Sequence, residues 1–130
     1  MAEVFDVVSY NFAEAPGVPI TITEEHPIFE TVVTMTTPDL PPGTYEMGAN
    51  FVMNYSTKDA SAFFKITGTY SVGTEFSDAA PTDSDDTNRY YLKPIIHTGG
   101  TVTISLEVGK HTSLSTLLVN YASVIVRRVA

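Results

Sequence analysis

The sequence predicts an all-β fold, an antiparallel β-sandwich that takes up most of the chain. Three observations carry that expectation. Threonine, valine and tyrosine are abundant, and no run shows the apolar period of a helix. Apolar and polar residues alternate in several segments, most cleanly from Thr44 to Tyr55. Turn signals break the chain at short, regular intervals, the spacing of a sandwich or barrel.

The first 27 residues are the least domain-like. Val4 to Tyr10 reads as a short strand. Pro16, Gly17, Pro19 and Pro27 then follow, and each proline fixes φ and removes a donor. Residues 1–27 are therefore expected to form an extended arm, or a short strand plus linker, with residues 28–130 as a single β-sandwich domain. The arm carries Val4, Phe5, Val7, Val8, Phe12, Ile20 and Ile22, apolar groups that need cover from the domain or from a neighbouring subunit.

Ile28 to Thr37 is the next predicted strand, and Pro38 to Gly43 is a turn. In Thr44 to Tyr55 the apolar parity is Tyr45, Met47, Ala49, Phe51, Met53 and Tyr55, with Val52 the exception on the polar side. Ser56 to Ser61 is a polar turn. Ala62 to Tyr70 is a strand with a less regular pattern, Phe64 and Ile66 opposite Phe63, Lys65 and Thr67. A short strand over Ser71 to Phe76 leads into a polar, acidic loop from Asp78 to Asn88. Arg89 to Ile96 is a strand whose Pro94 points to an edge, a bulge or the end of pairing. Gly99-Gly100 is a turn, and Thr101 to Val108 alternates with Val102, Ile104, Leu106 and Val108 on one face. Leu117 to Val129 closes the chain. Read as one unbroken strand, it puts Val119, Tyr121, Ser123, Ile125 and Arg127 on one face. Leu118, Asn120, Ala122, Val124, Val126 and Arg128 fall on the other. Apolar groups on both faces indicate a central strand, or one covered by a partner. The pattern leaves jelly-roll and immunoglobulin-like connections both open.

A chain of 130 residues has room for one domain and buries roughly two thirds of its unfolded surface. There are no cysteines, which excludes disulfides, thiolate nucleophiles and cysteine-ligated zinc. The net charge of −8, with 15 acidic and 7 basic residues, argues against nucleic acid and against anionic membrane as partners. No run approaches the length of a membrane-spanning helix, and the N-terminus lacks the features of a signal peptide.

Chemistry is thinly represented. His26, His97 and His111 are the only histidines, and none stands in a catalytic motif; His97, just before Gly99-Gly100, is expected as a turn residue. Asp78, Asp83, Asp85 and Asp86 supply carboxylates for a cation, but the glycine and terminal glutamate of a calcium loop are missing, so a solvated loop is the expectation. No metal site, cofactor or catalytic residue is predicted, and the chain is not expected to be an enzyme. Tyr10, Tyr70, Tyr90, Tyr91 and Tyr121 suit a subunit interface, because tyrosine offers an apolar body with a polar tip. The expected partner-contact residues are Val4, Phe5, Phe12, Ile20, Ile22 and Tyr121.

Several segments also resemble a known group. Phe29 to Met35, then Leu40-Pro41-Pro42-Gly43-Thr44-Tyr45-Glu46-Met47-Gly48, is similar to a strand, a Leu-Pro-x-Gly-x-Tyr turn and a long strand in small jelly-roll structural proteins of tailed bacteriophage virions. Gly99 to Glu107 and Asn120 to Val129 look like their last two strands. The resemblance covers about residues 28–130. It implies a tumour-necrosis-factor-like jelly roll acting as a head decoration, cement or tail accessory protein. It further implies a homo-oligomer such as a trimer, the major capsid protein or other virion subunits as partners, and a place on the capsid exterior or the tail. It supplies no catalytic residue. The competing expectation is a glycan-binding or adhesion module on a tail or fibre.

Overall fold

The computed structural model describes residues 10–14, 19–25, 27–55, 61–79, 86–110 and 117–129. Nine strands occur among them: β1 (Tyr10–Glu14), β2 (Ile20–Thr21), β3 (Glu30–Thr36), β4 (Gly43–Tyr55), β5 (Ser61–Gly68), β6 (Gly73–Ala79), β7 (Asp86–His97), β8 (Thr103–Lys110) and β9 (Leu117–Arg128).

Their pairings are nested. The hairpin β5–β6 lies innermost, then β4 with β7, β3 with β8, and β1 and β2 with β9, all antiparallel. Rolling up this long double ribbon brings β9 against β4 and β8 against β5. The result is two sheets, ordered β1-β9-β4-β7 with β2 also on β9, and β3-β8-β5-β6. Every connection from β2 onward changes sheet except the β5–β6 hairpin. That is a jelly roll, and it decides between the two connection schemes that the strand pattern left open.

The core lies between the sheets. Tyr45, Met47, Ala49, Phe51 and Met53 point inward from β4, as their alternation predicts, and meet Val102, Ile104, Leu106 and Val108 from the other sheet. Phe51 and Phe64 touch across the sandwich, edge towards face, at 4.9 Å between ring centres. Phe64 and Ile66 form the inward parity of β5, which the sequence pattern left less distinct.

Gly68 and the Gly99-Gly100 turn need their glycines. Gly68 has φ +138°, and a Cβ there would stand 1.9 Å from the Thr103 carbonyl oxygen. Gly99 and Gly100 have φ of 113° and 101°, which a side chain makes costly.

Four sequence expectations change. First, the stretch before residue 28 is in part sheet: β1 and β2 pair with β9, and Ile22 is only 1% exposed in the core. Pro19 stands immediately before β2. Second, β6 and β7 reach further into the acidic segment than its polarity suggests. Asp86, Thr87 and Asn88 pair with Asn54, Met53 and Val52, because β7 follows β4 along almost its full length. Third, β9 is not one unbroken alternation. Its pairing with β4 slips between Val52 and Met53, an extra residue at Asn120–Tyr121. Such a bulge flips parity. The inward set is therefore Leu117 and Val119, then Ala122, Val124 and Val126. Fourth, His97 is the last residue of β7 and is buried.

Pro94 lies in β7, which pairs only with β4 and forms the sheet edge, where a missing donor is tolerated.

Candidate interaction surfaces

Among the described residues no pocket opens, and no group of three histidine or acidic side chains is placed to hold a metal. His26, His111, Asp83 and Asp85 lie outside the described residues, as does the tip of the acidic loop.

His97 is bonded on both ring nitrogens at one end of the sandwich. Its Nδ1 lies 2.7 Å from the Tyr70 hydroxyl, and its Nε2 lies 3.0 Å from the Gly100 carbonyl oxygen. In the tautomer that fits both, Nε2–H donates to Gly100 and the Tyr70 hydroxyl donates to Nδ1. The rings of Tyr45 and Tyr70 stand edge-on to the imidazole at 5.4 and 5.7 Å. The Tyr45 hydroxyl donates to the Pro41 carbonyl at 2.7 Å. Burial pushes the Tyr45 hydroxyl above the ordinary tyrosine value, and the charge of Arg128 partly offsets it. Leu40 and Gly100 exchange backbone hydrogen bonds beside this cluster. The arrangement pins the loops at this end and occupies both ring nitrogens of His97.

The outer faces of the two sheets are the larger surfaces, and strand register fixes what each displays. On the β3-β8-β5 face, Thr34 and Ser105 hydroxyls meet at 2.7 Å and those of Thr36 and Thr103 at 3.0 Å. Thr67 donates to Glu107 at 2.6 Å, and Lys65 lies 4.6 Å over the Phe29 ring. Hydroxyl pairs of this kind run across the sheet.

The β1-β9-β4-β7 face differs. Residues directly opposite share a face, so one cross-strand row reads Phe12, Ile125, Gly48, Leu92. The next rows are Glu14, Ser123, Asn50, Tyr90, and then Tyr121, Val52, Asn88. On the other side lies Tyr10, Arg127, Glu46, Pro94, with Arg127 and Glu46 in an ion pair. Ile96 follows opposite Thr44. Tyr90 is 60% and Ile96 78% exposed. Ile125 is 7% and Ser123 2% exposed, although both point away from the core. Asn50 Oδ1 is buried here with no hydrogen-bond partner.

The residues expected to contact partners are dispersed. Val4 and Phe5 lie outside the described residues. Phe12 stands opposite Ile125 in β1. Ile20 packs half-buried on the core, and Ile22 lies within it. Tyr121 lies half-buried on the outer face of β9. Of the other tyrosines, Tyr70 and Tyr91 pack against the core. Sequence reasoning gave Leu92 and Ile96 no role. The signal for them was the parity of β7 against β4, which needs the register to be read.

No protein-family model and no curated protein matches the sequence. Solved structures do match in fold. The T13 particle of infectious bursal disease virus contains a chain similar over 95% of this one and 32% of its own length, with TM-score 0.66 and 12% identity. The VP2 subviral particle of the same virus gives TM-score 0.66 at 13% identity, over 95% of this chain and 33% of that one. Its Gt strain gives TM-score 0.62 at 12% identity, over 95% and 34%. The chain thus spans about a third of the length of the chains it matches. These matches correct the resemblance to tailed-bacteriophage proteins, since the likeness lies with infectious bursal disease virus. The residues that suggested phage proteins mark the roll itself. Leu40 pairs with Gly100, and Tyr45 turns back onto Pro41, so the motif is loop chemistry at one end of the sandwich.

Proposed function

We propose that this chain is a structural subunit of a virus particle, displayed on the capsid exterior and acting through protein–protein contacts with other virion subunits and with copies of itself. The observation that carries the reading is the jelly roll, matched over 95% of the chain by proteins of virus particles. Two packed sheets whose loops are bonded together at one end suit a building block, because contact surfaces keep their geometry only when the scaffold beneath is fixed. No second reading draws a specific observation. A glycan groove needs several exposed aromatics, and among the residues whose side chains are described Tyr90 is the one that is highly exposed.

In this reading Val4 and Phe5 are the leader residues that anchor on a neighbour, since Ile20 and Ile22 already pack into their own core. Mass spectrometry and antibody labelling of purified particles test the proposal. The protein should be present in many copies and accessible from outside; its absence from particles would refute it. Deleting residues 2–9 should leave the melting temperature unchanged while incorporation falls; unchanged incorporation would remove the anchor.

A further inference from the structure

We propose that the outer face of the β1-β9-β4-β7 sheet binds a second copy of this chain, face to face about a two-fold axis. The choice of a like partner rests on the structural-subunit reading; the choice of surface rests on the face itself.

Three observations select it. The first is composition. Two of the three large apolar side chains that are highly exposed among the described residues, Tyr90 and Ile96, stand on this face. Leu92, Val52 and Tyr121 lie half-buried beside them. On the opposite face, hydroxyl pairs close the β3–β8 rows, and Lys65 lies over Phe29.

The second is charge. At −8, two copies repel over most of their surfaces. Within β9, β4 and β7 the rows of Gly48, Asn50 and Val52 carry no ionised side chain, and Glu14 stands at the β1 end of the middle row, so repulsion is weakest over these three strands. Beside them Glu46 and Arg127 form one adjacent pair of opposite charges. A two-fold axis turns such a pair upon itself, so each Arg127 meets the Glu46 of the other copy. An isologous contact requires this self-complementarity.

The third is area. Strands β4, β7 and β9 run 13, 12 and 12 residues. At about 3.3 Å per residue and about 4.8 Å between strands, they present roughly 600 Å². A specific interface buries about 600–1,000 Å² on each partner.

Sedimentation of the full chain over a wide concentration range tests this. The wild type should show a reversible monomer–dimer equilibrium. Tyr90→Glu with Ile96→Glu alters only exposed side chains, and should weaken dimerisation more than about tenfold with melting unchanged. Thr31→Glu, exposed on the opposite sheet, should leave it intact. Charge reversal is the sharper arm. Glu46→Arg and Arg127→Glu chains should each be monomeric alone and associate when mixed. A wild type that stays monomeric, a dimer unaffected by the Tyr90/Ile96 change, or reversed chains that do not associate on mixing would each overturn the proposal. None of these results touches particle location, which the mass spectrometry above decides separately.

Discussion

The two outer faces are built on the same kind of strand and yet present opposite chemistry. The β3-β8-β5 face satisfies itself: Thr34 pairs with Ser105, Thr36 with Thr103, Thr67 with Glu107. The β1-β9-β4-β7 face leaves Tyr90 and Ile96 in water, hides Ile125 and Ser123 on the side away from the core, and keeps an acceptor on Asn50 without a donor. A face meant only for solvent gains from closing its polar groups on one another and has no reason to display an apolar edge. The inner faces cannot reveal such a difference, because both must fill one core. In this protein, contact chemistry is to be sought on outward positions.

The comparison can be broken by moving a charge. Ile125→Lys should cost about 3 kcal/mol, from lost burial and from an ammonium that must leave its covered site. Thr34→Lys on the opposite face should stay within about 1 kcal/mol. Urea unfolding of both variants checks this, and equal losses would mean that the two faces are equivalent. Asn50→Leu should raise stability by about 1 kcal/mol, because an unpaired buried acceptor disappears; calorimetry reads it as a higher melting temperature. Thr34→Val should lower stability by about 0.5–1 kcal/mol through the lost bond to Ser105, which a double-mutant cycle isolates.

The loop end adds a smaller, alkaline effect. Tyr45 is raised above the ordinary tyrosine value by burial, so its contribution is complete below that value and is lost as pH rises through the folded one. Tyr45→Phe should flatten the alkaline fall in melting temperature, at the expense of the bond to Pro41.

Much of the fold was legible in residue order. The parity of Thr44 to Tyr55 and of Thr101 to Val108 named the inward residues of β4 and β8 correctly, because a half-buried strand writes its period directly into the sequence. The Leu40-to-Tyr45 turn and Gly99-Gly100 were equally plain, since turn backbones tolerate few residues. β9 was misread because one extra residue leaves no mark in composition yet inverts every side chain beyond it. His97 reads as a turn residue because its neighbours are turn residues. Its burial depends on Tyr70, 27 positions away.

The sequence alone determined that this chain makes strands, which of them bury one side, and that it carries a net charge of −8. Local sterics and alternation act within a few residues, so they survive without a fold. Only the tertiary structure decided that the strands nest into a jelly roll, that Ile22 serves its own core, and that Tyr90, Leu92 and Ile96 share a surface with Val52 and Tyr121. Those facts depend on register between strands distant in the chain, and register is settled by the joint packing of both sheets.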